Sequence, residues 1–209
     1  MRIGIVNEVS ACARNQDILK ALEPFDGLEI LNLGMKDPSE ENPITYIQTG
    51  IMSAILLNCG ICDMVVGGCG TGQGYLNVVM QFPGVFCGLV QEPLDAWLFS
   101  QINGGNCISL ALNKGYGWAA NVNLKYIFER LFQDPAGQGY PRERAESQGS
   151  SRELLKGISA QSHKPLADSL RDLDPAALES IRRRKDFLAV LEAHGRDNRL
   201  AAEICQILK

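Results

Sequence analysis

A chain of 209 residues with 45% hydrophobic content is long enough to bury one substantial core and to carry a small appendage. Its formal charge of −4 argues against nucleic acid or an anionic membrane surface as the main partner, since both select a basic face, and points to a small-molecule ligand. No apolar run approaches the roughly 20 residues of a membrane span, the MRIGIV amino terminus lacks a signal-peptide layout, and the seven scattered cysteines read as reduced thiols, so the expected location is cytoplasmic with no structural disulfide.

In chain order, short apolar or β-branched runs predict strands at Ile3–Val6, Leu28–Leu33, Met64–Gly67, Val85–Leu89 and Cys107–Leu110. Between them, Ile47, Ile51, Ala54, Ile55 and Leu57 give the stretch Tyr46–Cys59 a helical spacing, and Asp95–Ile102 and Asn121–Phe132 read the same way. Strands alternating with helices imply a parallel sheet covered on both faces, a doubly wound α/β domain that ends near Asp134. Beyond Pro135 the composition shifts. Gly137-Gln138-Gly139 and Ser147–Ser151 read as loops, and Asp174-Pro175 as the cap and first turn of a helix to His194. Leu178, Ile181, Leu188 and Leu191 mark its apolar face, Gly195 its stop, and Leu200, Ile204 and Leu208 a last amphipathic helix. The basic run Arg182–Lys185 reads as a solvated helix side. The extension is expected to serve packing or assembly.

Several chemistries find no residues to carry them. Only His163 and His194 exist, both in the extension, so a histidine-rich metal site in the main domain is ruled out and a Ser-His-Asp triad would need an unusual reach. Gly68, Gly70, Gly72 and Gly74 do not make a dinucleotide fingerprint, and no Gly-Lys-Ser/Thr follows them as a P-loop requires. Cys59 and Cys62 have C-x-x-C spacing but no second pair, and read as two buried thiols.

What remains is the run Met64–Gly74, MVVGGCGTGQG, in which a strand stops at glycines with one cysteine among them. Backbone amides of such a turn form an anion-binding nest, at the carboxyl end of a parallel strand where ligands of doubly wound sheets collect. Amides beside a thiol favour its thiolate, and the same amides hold an oxyanion. One loop thus supplies a base and charge stabilisation for moving a proton next to a carbonyl, with no cofactor. The plain alternative is a tight turn holding a buried cysteine.

The GGCGTGQG motif resembles the signature of the ribose-5-phosphate isomerase B and galactose-6-phosphate isomerase family. The resemblance covers residues 1 to 146 and takes in Asn7-Glu8 after the first strand, Thr45-Tyr46, Glu92-Pro93, Gln101–Asn106 and Arg144. It implies a Rossmann-like α/β/α domain over 1–146 with a helical extension over 147–209, and a homodimer, or a dimer of dimers, with active sites between subunits. It also implies proton transfer through an enediol without a metal. By the same resemblance Cys69 is the base between C1 and C2, and Thr71 moves protons at the substrate oxygens. The amides of Gly70, Gly72 and Gly74 hold the enediolate, with Asn103 near the substrate and Glu8 where the family has an Asp.

The departures bear on substrate. Glu8-Val9 replaces the family's Asp-His, Ile102-Asn103 replaces a His-Asn pair that carries the ring-opening histidine, and Tyr140 and Arg144 stand where the family has two arginines for a phosphate, with Arg142 between them. This pattern, with GYPRERA at 139–145, looks closer to a branch of ketol-isomerases acting on open-chain 4-deoxy-5-keto-hexuronates. Two substrate readings therefore stand, a sugar phosphate and a keto-uronate. A third reading, of another class, is a non-catalytic protein that binds a small acid.

Overall fold

The computed structural model of the chain describes residues 1–195 and 198–209. Five parallel strands, β1 (Arg2–Asn7), β2 (Glu29–Asn32), β3 (Met64–Cys69), β4 (Cys87–Val90) and β5 (Cys107–Ala111), fall on the five expected runs. They form one sheet in the order β2-β1-β3-β5-β4. Their sequences lack polar alternation because both faces are covered: every residue of β3 is buried.

The period of two along β3 divides the core. Met64 and Val66 join Ile3, Ile5, Ile108 and Leu110 on one face, under α1 (Asn15–Leu22), α4 (Pro93–Leu98) and α5 (Ala120–Phe132). Val65 and Cys69 face the other layer, α2 (Tyr46–Asn58) and α3 (Gln73–Val79), with Ile51, Ile55 and Tyr75. α2 starts where expected, at a capping box: Ile47 N donates to Thr45 Oγ1 at 3.3 Å and Thr45 N to Gln48 Oε1 at 3.0 Å. The segment expected as one helix over Asp95–Ile102 is α4 followed by a wider π-helical turn, Phe99–Asn103.

The extension departs from expectation in three places. Ser147–Ser151, read as a loop, lies inside α6 (Ala145–Ser162). Two of its hydroxyls bond back along the helix, Ser147 Oγ donating to Arg144 O at 3.0 Å and Ser151 Oγ to Ser147 O at 2.9 Å, so the polar run does not break it. After α7 (Leu166–Asp172), the single helix expected from Asp174 to His194 is two: α8 (Pro175–Arg182), capped by Asp174 as read, and α9 (Lys185–Gly195). The basic run is not uniformly solvated, because Arg184 is 5% exposed at this break and meets the carboxylates of Glu40 and Asp186. A last helix, α10 (Arg199–Leu208), follows. No described helix is long and apolar enough to cross a membrane.

Leu178, Ile181 and Leu191 are buried and Leu188 half-buried, as the apolar spacing implied. They pack in the same cluster as Val6, Ile51 and Ile55, so the apolar layer over α2 is completed by side chains of the extension. Phe187, wholly buried in that layer, tests this continuity. Phe187→Ala is expected to cost about 3 to 5 kcal/mol, and urea unfolding of both proteins, followed by circular dichroism and tryptophan fluorescence, should show one coincident transition. Two separated transitions would mean that the extension folds apart from the sheet.

Candidate active site

β1 lies between β2 and β3, so the chain leaves it on one side to reach β2 and returns on the other to reach β3. The crevice between the carboxyl ends of β1 and β3 is where a doubly wound sheet binds ligands, because the covering connections diverge there. Asn7 and Glu8 end one strand and Cys69 the other.

Cys69 is 5% exposed and pairs with Ala111 of β5. Its carbonyl accepts from Gly72 N at 3.3 Å and Leu112 N at 3.0 Å, and its Sγ lies 4.0 Å from the Thr71 hydroxyl. The turn needs φ +75° at Gly72, a conformation that disfavours any side chain. Thr71 is exposed, and its Oγ1 accepts from Gln73 N at 3.3 Å, which fixes the hydroxyl at the start of α3. Gly70 O accepts from Asn113 N at 3.0 Å and Lys114 N at 2.8 Å, tying the loop to the segment after β5. Two more glycines exist for packing: a Cβ on Gly67 would stand 2.0 Å from the Tyr75 ring, and one on Gly74 would stand 3.3 Å from that of Tyr46.

Glu8 is 4% exposed and its carboxylate caps a short 3-10 helix, Val9–Arg14, by accepting from Ser10 N at 3.0 Å and from the Ser10 hydroxyl. Ser10 and Asn113 were not singled out in the sequence, yet both border the loop. A Cβ on Gly70 would lie 3.5 Å from Asn113 Nδ2 and 3.6 Å from Ser10 Oγ, and Asn113 Nδ2 donates to Ser10 O at 2.8 Å. The usable signal was positional, since both stand within three residues of the carboxyl ends of β1 and β5, which share the Cys69 edge. Cys59 and Cys62 are buried, and burial pushes each thiol up to about 12, out of the reactive range at neutral pH.

The remaining expected residues lie elsewhere. Asn103 ends the π-helical turn that leads into the amino end of β5, whereas Cys69 aligns with Ala111 at its carboxyl end. The strand between them spans about 13 Å at 3.3 Å per residue. Gly137 N donates to Ser100 O at 2.8 Å and Gly139 N to Gln101 O at 2.9 Å, so the 137–144 segment sits with Asn103. Tyr140 packs its ring edge-on to Trp97, 5.0 Å between centroids, and Arg142 and Arg144 occupy one exposed 3-10 turn. Their guanidiniums bond neutral oxygens, Gln138 Oε1 at 3.2 Å and Ser147 Oγ at 3.4 Å, which leaves their charge available to an anion. Within one chain, then, Glu8, Cys69, Gly70, Thr71, Gly72 and Gly74 come together, and Asn103, Tyr140, Arg142 and Arg144 form a second group at the opposite end of the sheet.

Residues 3–133 match the sequence model of the ribose/galactose isomerase family. No curated protein sequence matches the chain significantly. Among solved structures, a 4-deoxy-L-threo-5-hexosulose-uronate ketol-isomerase complexed with a tartrate is 39% identical with a TM-score of 0.93, over 100% of this chain and 99% of its own. A ribose-5-phosphate isomerase from Vibrio parahaemolyticus is 40% identical, with the same TM-score and coverage. The type B ribose 5-phosphate isomerase of Trypanosoma brucei shares the fold at 18% identity, with a TM-score of 0.64 over 75% of this chain and 97% of its own. A thiol and a hydroxyl at the switch point of such a sheet, in a chain that aligns end to end with two sugar isomerases, make this protein an isomerase of the ribose/galactose isomerase family.

Proposed function

We propose that the protein is an aldose–ketose isomerase acting on an open-chain, anionic sugar with Cys69 as its base. The carrying observation is the Cys69 thiol beside the Thr71 hydroxyl, 4.0 Å apart, on a glycine turn at the carboxyl edge of the sheet. The Cys69 thiolate takes the proton from C2; the C2–H electron pair becomes the C1–C2 double bond and the C1 carbonyl pair moves to O1. The thiol returns the proton to C1 while Thr71 relays the hydroxyl proton from O2 to O1. The enediolate charge falls to the amides of Gly70, Thr71 and Gly74, since those of Gly72 and Gln73 already donate within the loop. Redox balance is internal to the substrate, so the step as written calls on no cofactor.

The anionic end of the substrate is assigned to Arg144 and Arg142 of a second protomer, because one chain holds them at the far end of the sheet from Cys69. A face for that second copy is present on α6, which buries only Ser159 while Leu154, Leu155 and Ile158 are exposed. In this reading Asn103 and Tyr140 come from the partner with the arginines, and the functional unit is a homodimer.

A keto-uronate fits better than a cyclic sugar phosphate. Ring opening calls for a proton-transfer group, and the half-buried residue at position 102 is an isoleucine whose carbonyl is occupied by Arg152 Nη1 at 2.9 Å. Both histidines serve helix ends in the extension: His163 Nδ1 is 2.9 Å from Ser159 O and His194 Nδ1 is 2.9 Å from Val190 O. One end-to-end relative is a ketol-isomerase of a hexosulose uronate, the same chemistry. The phosphate reading keeps two supports: the pair of exposed guanidiniums on one turn, and the other end-to-end relative, a ribose-5-phosphate isomerase.

Cys69→Ala is expected to lower kcat about 1000-fold with an unchanged circular dichroism spectrum. Wild-type enzyme in deuterated water should label the carbon next to the carbonyl, and near-normal turnover by the folded variant would remove Cys69 from this role. Shared sites have their own signature. Assayed at substrate well below the wild-type KM, Cys69→Ala and Arg144→Ala homodimers are each expected to be nearly inactive, but unfolding and refolding them together should recover roughly a quarter of wild-type activity, because half the dimers then carry one intact site. Recovery of none would place both residues in the same protomer's site.

Substrate choice is read from kcat/KM on ribose 5-phosphate, a hexose 6-phosphate and a 4-deoxy-5-keto-hexuronate. The uronate is expected to lead by at least about tenfold, and Arg144→Ala to cost about 2 to 4 kcal/mol, seen mainly in KM, because it leaves the carboxylate without its cation. A lead for either phosphate would reverse the assignment, and turnover of none would leave a small-acid-binding protein.

A further inference from the structure

Arg184 stands at the break between α8 and α9 with 5% of its surface exposed, and a guanidinium taken so far from water is costly unless its donors are met. Nε and Nη2 donate to the two carboxylate oxygens of Asp186 at 3.1 and 2.8 Å, a two-pronged bond inside the extension. The rest of the group reaches across to the body of the protein. Nη1 donates to Glu40 Oε2 at 2.9 Å and lies 3.5 Å from Met35 Sδ, and Nη2 donates to Leu33 O at 3.2 Å. These partners all lie on the segment that leaves β2 and leads into α2. Glu40 folds that segment on itself, its other oxygen accepting from Lys36 N at 2.6 Å and Asp37 N at 3.1 Å.

From this clamped segment, contacts run to the crevice at both of its ends. Met35 N donates to Asn7 O at 2.9 Å and Asn7 Nδ2 to Met35 O at 2.8 Å, fixing the residue before Glu8. The approach is so close that a Cβ on Gly34 would stand 2.3 Å from Asn7 Oδ1. At the other end, Val9 N donates to Ile44 O at 2.9 Å, and Thr45 opens α2 with Tyr46 against Gly74 of the cysteine loop. The cysteine loop itself takes its bonds from Asn113 and Lys114 after β5.

We infer that Arg184 is a positioning residue: by clamping residues 33–40 from the C-terminal extension it sets where Asn7, Glu8, Ser10 and Tyr46 stand around the substrate, leaving the base on its own support. This rests on the reading of the Cys69 loop as the reaction centre. The extension thereby takes part in substrate binding without touching substrate.

Arg184→Lys keeps the charge but cannot span Asp186, Glu40 and Leu33 together. On whichever of the three sugars the wild-type protein converts, KM is expected to rise about tenfold or more with kcat within about threefold. The pH profile of Cys69 alkylation by iodoacetamide should superimpose on that of the wild type. Hydrogen exchange at the Val9 and Met35 amides should speed at least about tenfold, with Val66 unchanged. Glu40→Gln, which leaves the fork to Asp186 intact, should move KM and exchange in the same direction by less. Asn198→Ala removes the cap of α10 and a bond to the Cys59 carbonyl, and should lower Tm with KM unchanged, separating general destabilisation from loss of the clamp. A wild-type KM in Arg184→Lys overturns the inference whatever its Tm, as does a raised KM without faster exchange at Val9 and Met35. If wild-type protein converts none of the sugars, the reading of the site fails, and unchanged exchange in Arg184→Lys would still overturn the clamp.

Discussion

All strands of a parallel sheet point their carboxyl ends the same way, and this polarity governs what one chain of this fold can assemble. Whatever follows β1, β3 and β5 collects at one edge, and whatever precedes β5 is held at the other. Glu8, Cys69 and Asn113 are neighbours for that reason although more than a hundred residues separate the first from the last. Asn103 is excluded from that edge by the same rule, and the segment that carries the two arginines is held beside it by the bonds of Gly137 to Ser100 and Gly139 to Gln101. No side-chain rotation carries a group the length of a strand, so within one copy the two groups stay apart.

The glycine run shows how closely packing and chemistry are joined in β3 and its turn. Gly67 gives up its side chain to the ring of Tyr75, whose hydroxyl donates to Ser53 at 2.7 Å, and thereby locks α3 against both the sheet and α2. Gly68 passes so near β5 that a Cβ would lie 2.4 Å from Leu110 O. Gly72 is required by its own backbone conformation as well, with φ +75°. The cysteine is thus held on a strand end that is anchored on both sides, which fixes where its thiol points.

All five strands, the start of α2 and the cysteine turn were legible in the sequence, because an apolar run ending in glycine reports local burial and local conformation together. Legibility failed where tertiary partners overrule local pattern. Ser147–Ser151 reads as loop because its residues have low helix propensity, yet the hydroxyls bond back along the helix and Arg152 anchors the next turn to Ile102 O and Gly137 O, at 2.9 and 2.8 Å. Four consecutive cations at 182–185 look like a solvated face, and nothing local distinguishes Arg184; its carboxylate and carbonyl partners in the body are some 150 positions away. Ser10 escaped notice because a serine after a strand carries no signature until Glu8 and Asn113 are seen to face it.

The extension is therefore more than a cap on an exposed layer. Hydrophobic burial of Ile181, Phe187 and Leu191 fixes α8 and α9 on the α2 face, but burial is non-directional and tolerates small shifts of one element over another. The Arg184 bonds are directional and tie the break between α8 and α9 to the segment between β2 and α2. That segment leads into the amino end of α2, which also borders the cysteine turn through Tyr46. An apolar layer that supplies stability, pinned by directional bonds among which the buried Arg184 fork carries charge, is a physical reason for a helical extension and an isomerase fold to be held in one chain.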